Sequence, residues 1–162
     1  MISRTRKAIL VSNIVLLAAL IVIAQSHAGS AVGTWKLDTQ KSDFGGLPAP
    51  RNMTVVVSED SKTKVTWKAS GTNASGKKIS ESYSGDYDGK TNPIKGSEMA
   101  ESVGYTRNPD GTISSVTKDK SGTDVAHGTL TLSDDGKTIT IKTARKGPNG
   151  DVSYTEVFTR VK

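Results

Sequence analysis

From about residue 70 onward the chain is cut at near-regular intervals by turn-forming clusters. They read Asn73-Ala74-Ser75-Gly76, Asp88-Gly89, Asn108-Pro109-Asp110-Gly111, Lys120-Ser121-Gly122, Ser133-Asp134-Asp135-Gly136 and Gly147-Pro148-Asn149-Gly150. Short runs rich in Val, Ile, Thr and Tyr lie between them. Gly, Asn and Asp accept the backbone conformations that tight turns need, and β-branched residues suit a pleated surface. A ladder of this kind, with no helical periodicity between the turns, predicts an all-β antiparallel meander.

Alternation supplies the faces. Val65, Trp67 and Ala69 share one side of a strand, opposite Lys64, Thr66 and Lys68. The same period-two pattern gives Ile79, Glu81 and Tyr83; Val103 and Tyr105; Ile113, Ser115 and Thr117; Ala126, Gly128, Leu130 and Leu132; Ile139 and Ile141; and Tyr154 with Phe158. One apolar face per strand means a sheet with a core on one side and water on the other. Strands over residues 33–38 and 52–58 complete a set of about eight to ten. Residues 39–51, with Gly45-Gly46, Pro48 and Pro50, predict an irregular crossing rather than a long helix. A single up-and-down barrel buries a modest apolar complement without leaving sheet edges. Several expected inward positions are small or polar: Glu81, Ser115 and Gly128. Either the register slips at a bulge, or the interior is partly open and wet.

The N-terminus reads as an export signal. Arg4, Arg6 and Lys7 precede an almost wholly apolar run from Ala8 to Ala24, and Ser26-His27-Ala28 offers a small-x-Ala cleavage site. Residues 1–28 are therefore expected to form a signal helix removed after Ala28, leaving residues 29–162 as one barrel domain. The rival is an uncleaved anchor, since the apolar run is just long enough to span a bilayer. Either way the folded part lies outside the cytoplasm, periplasmic or secreted, and meets the membrane only through this segment. Losing three of 22 basic residues leaves 19 against 16 acids, a charge of +3. That is ordinary solubility and gives no nucleic-acid footprint. With no cysteine, thiolate chemistry and disulfides are excluded. The lack of disulfides in a small exported domain points toward a bacterial source.

Gly33-Thr34-Trp35 at the start of such a meander resembles the Gly-x-Trp signature of lipocalins and their calycin relatives. That resemblance implies a tryptophan closing the narrow end of the barrel beneath a basic residue of the last strand. Phe158-Thr159-Arg160-Val161-Lys162 falls where this partner belongs, so Trp35 and Arg160 are the implied plug, joined by cation–π attraction. Avidin-type barrels have similar ends, but the several tryptophans of a biotin pocket are missing. Residues 39–51 lack the helix pair of an intracellular fatty-acid carrier. Gly-Thr-Trp-Lys-Leu near the start, followed by Ala-Ser-Gly-Lys, Tyr-Asp-Gly-Lys and Asn-Pro-Ile-Lys-Gly, is similar to exported lipocalin-like bacterial proteins of unassigned activity.

The candidate lumen residues are Trp67, Tyr83, Tyr105, Tyr154 and Arg160, each weighed against a structural role. Trp67 is a core residue or a pocket wall. The tyrosines are cavity hydroxyls or ordinary cross-strand aromatics. Arg107, Arg145 and Arg160 could each pair with an acidic ligand. Their plainer roles are exposed strand charges for the first two and the Trp35 clamp for Arg160. His127, the one histidine after residue 28, falls on the face opposite the leucines and has no metal-ligand neighbour at the usual spacing. Asp86, Asp88, Asp134 and Asp135 are explained by turn chemistry. No catalytic set, metal site or cofactor motif is present. The sequence thus predicts an exported, non-enzymatic barrel that binds a small apolar or amphipathic ligand in its lumen. The alternative is an envelope or extracellular interaction module that uses its loops and outer surface.

Overall fold

The computed structural model describes residues 29–147 and 150–161. The expected signal segment, the centre of the last turn and Lys162 lie outside the described residues. Ten strands follow in chain order: β1 (Gly33–Leu37), β2 (Asn52–Asp60), β3 (Lys64–Thr72), β4 (Lys78–Asp86), β5 (Asn92–Pro93), β6 (Ser102–Arg107), β7 (Ile113–Lys118), β8 (Asp124–Leu132), β9 (Thr138–Arg145) and β10 (Val152–Arg160). Among the described residues there is no helix.

All ten strands belong to one antiparallel sheet in the order β4-β3-β2-β1-β10-β9-β8-β7-β6-β5. The first strand lies between the second and the last, so the chain closes on itself. The free edges meet where Ser82 and Lys95 exchange backbone hydrogen bonds of 3.0 and 2.9 Å. The result is a nearly closed up-and-down barrel, as the spacing of the turns predicts.

The hairpins form for the local reasons the sequence advertises. In the turn after β6, Gly111 takes φ +86° and donates its amide to Asn108 O at 3.0 Å. Asp110 Oδ1 accepts the Thr112 amide at 2.9 Å, so the side chain replaces a missing backbone partner.

Three features depart from simple alternation. First, Asp88-Gly89 is not a hairpin tip. The segment crosses the seam of the barrel, with Asp88 bridging Thr106 and Gly89 N donating to Tyr105 O at 2.9 Å. The crossing is so close that a Cβ on Gly104 would lie 2.5 Å from Gly89 O. Second, β2 continues past Ser58 to Asp60 through a bulge between Val57 and Glu59. One extra residue reverses the alternation and turns Asp60 inward. Third, the irregular segment after β1 is fastened to β10. Ser42 Oγ donates to Asp38 O at 2.7 Å and accepts the Val157 amide at 2.9 Å, and Asp43 pairs with Thr155.

Packing is concentrated toward one end. Trp35, only 1% exposed, sits among Ala31, Val57, Val65, Tyr83, Val103, Ile139 and Phe158, all buried.

Candidate functional site

The register identifies the inward side chains. On β3 and β4, Val65, Trp67 and Ala69 lie opposite Gly85, Tyr83 and Glu81. On β10 and β9, Phe158, Glu156 and Tyr154 lie opposite Ile139, Ile141 and Thr143. The series continues through Leu130 and Gly128 on β8, Ser115 on β7 and Tyr105 on β6.

One end of this interior is sealed. Arg160 lies over Trp35 with its guanidinium carbon 4.2 Å from the ring centroid. Its Nε donates to Gly136 O at 2.7 Å, Nη1 to Val32 O at 2.6 Å and Nη2 to Ser30 O at 3.0 Å. The Trp35 indole donates to Ala31 O at 2.8 Å. Arg160 is thus committed to the seal, away from the middle of the lumen, and Trp35 is the plug beneath it.

A second polar knot sits beside the seal. The Arg107 guanidinium pairs with Asp60, whose side chain is 3% exposed, and lies 4.3 Å from the centroid of the Tyr87 ring. Tyr87 Oη donates to Asp60 Oδ1 at 2.7 Å, and the Ala31 amide donates to Asp60 Oδ2 at 2.7 Å. Burial and the Asp60 carboxylate push the Tyr87 hydroxyl well above its ordinary pKa, so it remains a donor. Arg107 is therefore neither an exposed strand charge nor free to meet a ligand anion. The bulge in β2, invisible to alternation, brings its partner inside.

Farther along the axis the character of the wall changes. Trp67 stacks on Tyr83 with centroids 5.8 Å apart and planes 20° apart. Tyr83 meets Tyr105 edge-on at 5.1 Å and 83°. Tyr83 is buried, its hydroxyl tucked over Gly85 where a Cβ would collide with it. Trp67, Tyr105, Tyr154, Leu130 and Ile141 also point inward, yet each keeps part of its surface accessible. An inward side chain can do so only if it borders space a water molecule can enter. Small residues add to that space, with Ala69 on β3 and Ser115 and Gly128 facing each other on β7 and β8.

Glu156 and Glu81 lie in this open part. Glu156 has no hydrogen-bond or ion-pair partner among the described residues, and burial pushes its carboxyl pKa up to about 7 with Glu81 adding to the shift. The sequence marks Glu81 as an odd inward residue. Glu156 stands between Tyr154 and Phe158 on the face that alternation makes inward, and the register places it there; what the structure adds is its lack of a partner.

A shallow concavity of about 430 Å³ is lined by Asp43, His127, Thr129, Lys142 and Thr155, with Thr143, Ala144, Ser153 and Tyr154 also bordering it. Register puts His127, Thr129, Lys142 and Thr155 on the outer face of β8–β10, so most of this hollow lies outside the barrel. Among the described residues no three His, Asp or Glu side chains gather in a way that could hold a metal ion.

No protein-family model matches the chain, and no curated protein matches it. Solved structures do. The wild-type fluorescent protein UnaG superposes with a TM-score of 0.56 at 17% identity, covering 80% of this chain and 96% of that one. Zebrafish ileal bile acid-binding protein complexed with cholic acid gives 0.53 at 12% identity, covering 82% and 100%. Likeness at such low identity speaks to architecture alone, and the architecture it shows is an antiparallel β-barrel.

Proposed function

We propose that this chain is an exported, non-enzymatic barrel that binds one small apolar or amphipathic molecule in its lumen. The observation that carries this reading is the asymmetry of the interior. Trp35, Val57, Val65, Ile139 and Phe158 close one end, while Trp67, Tyr105, Tyr154, Leu130 and Ile141 face inward beside accessible space. An apolar cavity with a few convergent polar groups is the usual form of a small-molecule site. A barrel of the same architecture is seen complexed with cholic acid. Export is read from the basic, apolar and small-residue order of residues 1–28.

Titration with a neutral apolar dye such as Nile red tests the reading. Saturable binding at one site per chain, weakened about tenfold by Trp67→Ala, is the expected result. A dye that fails to bind, or that binds Trp67→Ala equally well, contradicts it.

The outer hollow at His127 and Lys142 favours a second reading, an interaction surface for an envelope or extracellular partner. Under that reading Lys142→Glu abolishes capture of the partner while Trp67→Ala leaves it intact.

A further inference from the structure

Residues 95–101, between β5 and β6, arch over the end of the barrel opposite the seal, and both feet of the arch are pinned. Lys95 exchanges backbone hydrogen bonds with Ser82 on β4, and the Ile94 amide donates to Glu101 O at 2.9 Å. The Glu101 amide donates to Lys118 O on β7 at 2.9 Å. Between the feet, Glu98 pairs with Lys77 of the β3–β4 turn, and Met99 is 66% exposed. The Met99 sulfur accepts a hydrogen bond from Arg145 Nη1 at 3.6 Å.

Arg145 belongs to β9, and β8 and β7 stand between that strand and β6. It lies opposite Ala126, which is buried, so it points to the inside of the rim and is not the exposed strand charge that the sequence suggests. Contact with Met99 therefore bridges the mouth rather than following the wall. The bridge is weak as it stands. A thioether sulfur is a poor acceptor, and among the described residues no carboxylate pairs with the Arg145 guanidinium. An oxygen on that sulfur would make the same contact a charge-assisted hydrogen bond.

We propose that Met99 is an oxidation site whose sulfoxide latches residues 95–101 to Arg145 across the mouth. The oxidant is a hydroperoxide. A sulfur lone pair attacks one peroxide oxygen, and an S–O bond forms as the O–O bond breaks. Sulfur is oxidised by two electrons, and the departing oxygen leaves as water after taking the proton from the one transferred. Met53, by contrast, packs against the core cluster and lacks this access. The latch stands on the Met99–Arg145 geometry. Its consequence, a slower passage of ligand through the mouth, rests on the ligand-binding reading above.

The test treats the full chain with dilute hydrogen peroxide and locates the added oxygen by peptide mass spectrometry. Met99 is expected to gain it at least about fivefold faster than Met53. Hydrogen exchange at the amides of residues 97–100 then slows about tenfold, and methionine sulfoxide reductase reverses the change. Arg145→Leu oxidises equally fast but shows no slowing, Arg145→Lys keeps part of it, and Met99→Leu does not respond to peroxide in this segment. Release of Nile red slows in step with the exchange. If oxidation leaves the exchange unchanged or speeds it, or if Arg145→Leu slows as much as the wild type, the latch is overturned. Slowed exchange in a protein that takes up no dye upholds the latch and contradicts the lumen reading.

Discussion

Arg160 covers Trp35 at 4.2 Å and is held there by three backbone carbonyls, so the last strand locks the segment that precedes the first. The two residues lie directly opposite each other in the β1–β10 ladder. Truncating the arginine removes a cation–π contact and charge-assisted hydrogen bonds to Ser30, Val32 and Gly136. Arg160→Ala should cost about 2–4 kcal/mol in urea unfolding. Arg160→Lys should recover part of this, because an ammonium keeps the charge but cannot reproduce the planar fork. Equal losses for the two variants would mean that neither the retained charge nor the retained stem contributes and that the planar fork carries the whole effect.

Glu156 makes stability depend on pH in a definite direction. Its folded-state pKa of about 7 lies above the ordinary value of 4.5. Between those values the folded protein binds more protons than the unfolded chain. Stability therefore falls as pH rises from about 4.5 to about 7 and is flat above, with a loss of roughly 2–3 kcal/mol. Glu156→Gln should abolish that slope and be the more stable protein at about pH 8. Unfolding midpoints measured across the range check both statements. A wild-type slope of the opposite sign in this window would show that other groups dominate.

The Asp60–Arg107 pair should behave as a coupled unit. Asp60→Ala leaves a guanidinium facing the seal without its partner, and Arg107→Met leaves a buried carboxylate. Each single change should cost about 3–5 kcal/mol, and the double variant should cost clearly less than the sum. A double-mutant cycle with additive losses would show that the pair contributes no interaction of its own.

Close backbone contact at Gly71 gives a prediction independent of charge. A Cβ there would collide with Asn52 O and lie 2.9 Å from Met53 Cα, so β2 and β3 meet only because the residue has no side chain. Gly71→Val should destabilise by about 2 kcal/mol or more, while the same change at exposed Gly122, which has nothing within 4 Å, should cost only the strain of its positive φ. Thermal unfolding of the two variants separates crowding from conformational preference.

Much of the barrel was legible because its information is local. Turn clusters such as Asn108-Pro109-Asp110-Gly111 set hairpins by residue chemistry, and period-two runs such as Val65-Trp67-Ala69 declared their inward face. The inward placement of Trp67, Tyr83, Tyr105 and Tyr154 followed from the same rule. What alternation could not carry was any event that changes register or joins distant strands. The bulge at Ser58 turned Asp60 inward and gave Arg107 a partner 47 residues away in sequence. The seam crossing at Asp88-Gly89 imitated a hairpin because Asp-Gly favours a tight bend whatever the chain does next. Glu156 shares the inward face of Tyr154 and Phe158 by the same alternation, but its lack of a partner depends on strands distant in sequence and is not legible there.

The claim on which the rest depends is that the inner half of the barrel around Ile141 is open and takes a ligand. Methyl NMR during titration with Nile red tests this directly. Saturable shifts are expected at Ile141, Leu130 and Met53, with Val57 and Ile139 at the sealed end nearly still. Shifts confined to outward-facing methyls such as Val56 and Val157, or no saturable shifts at all, would contradict it.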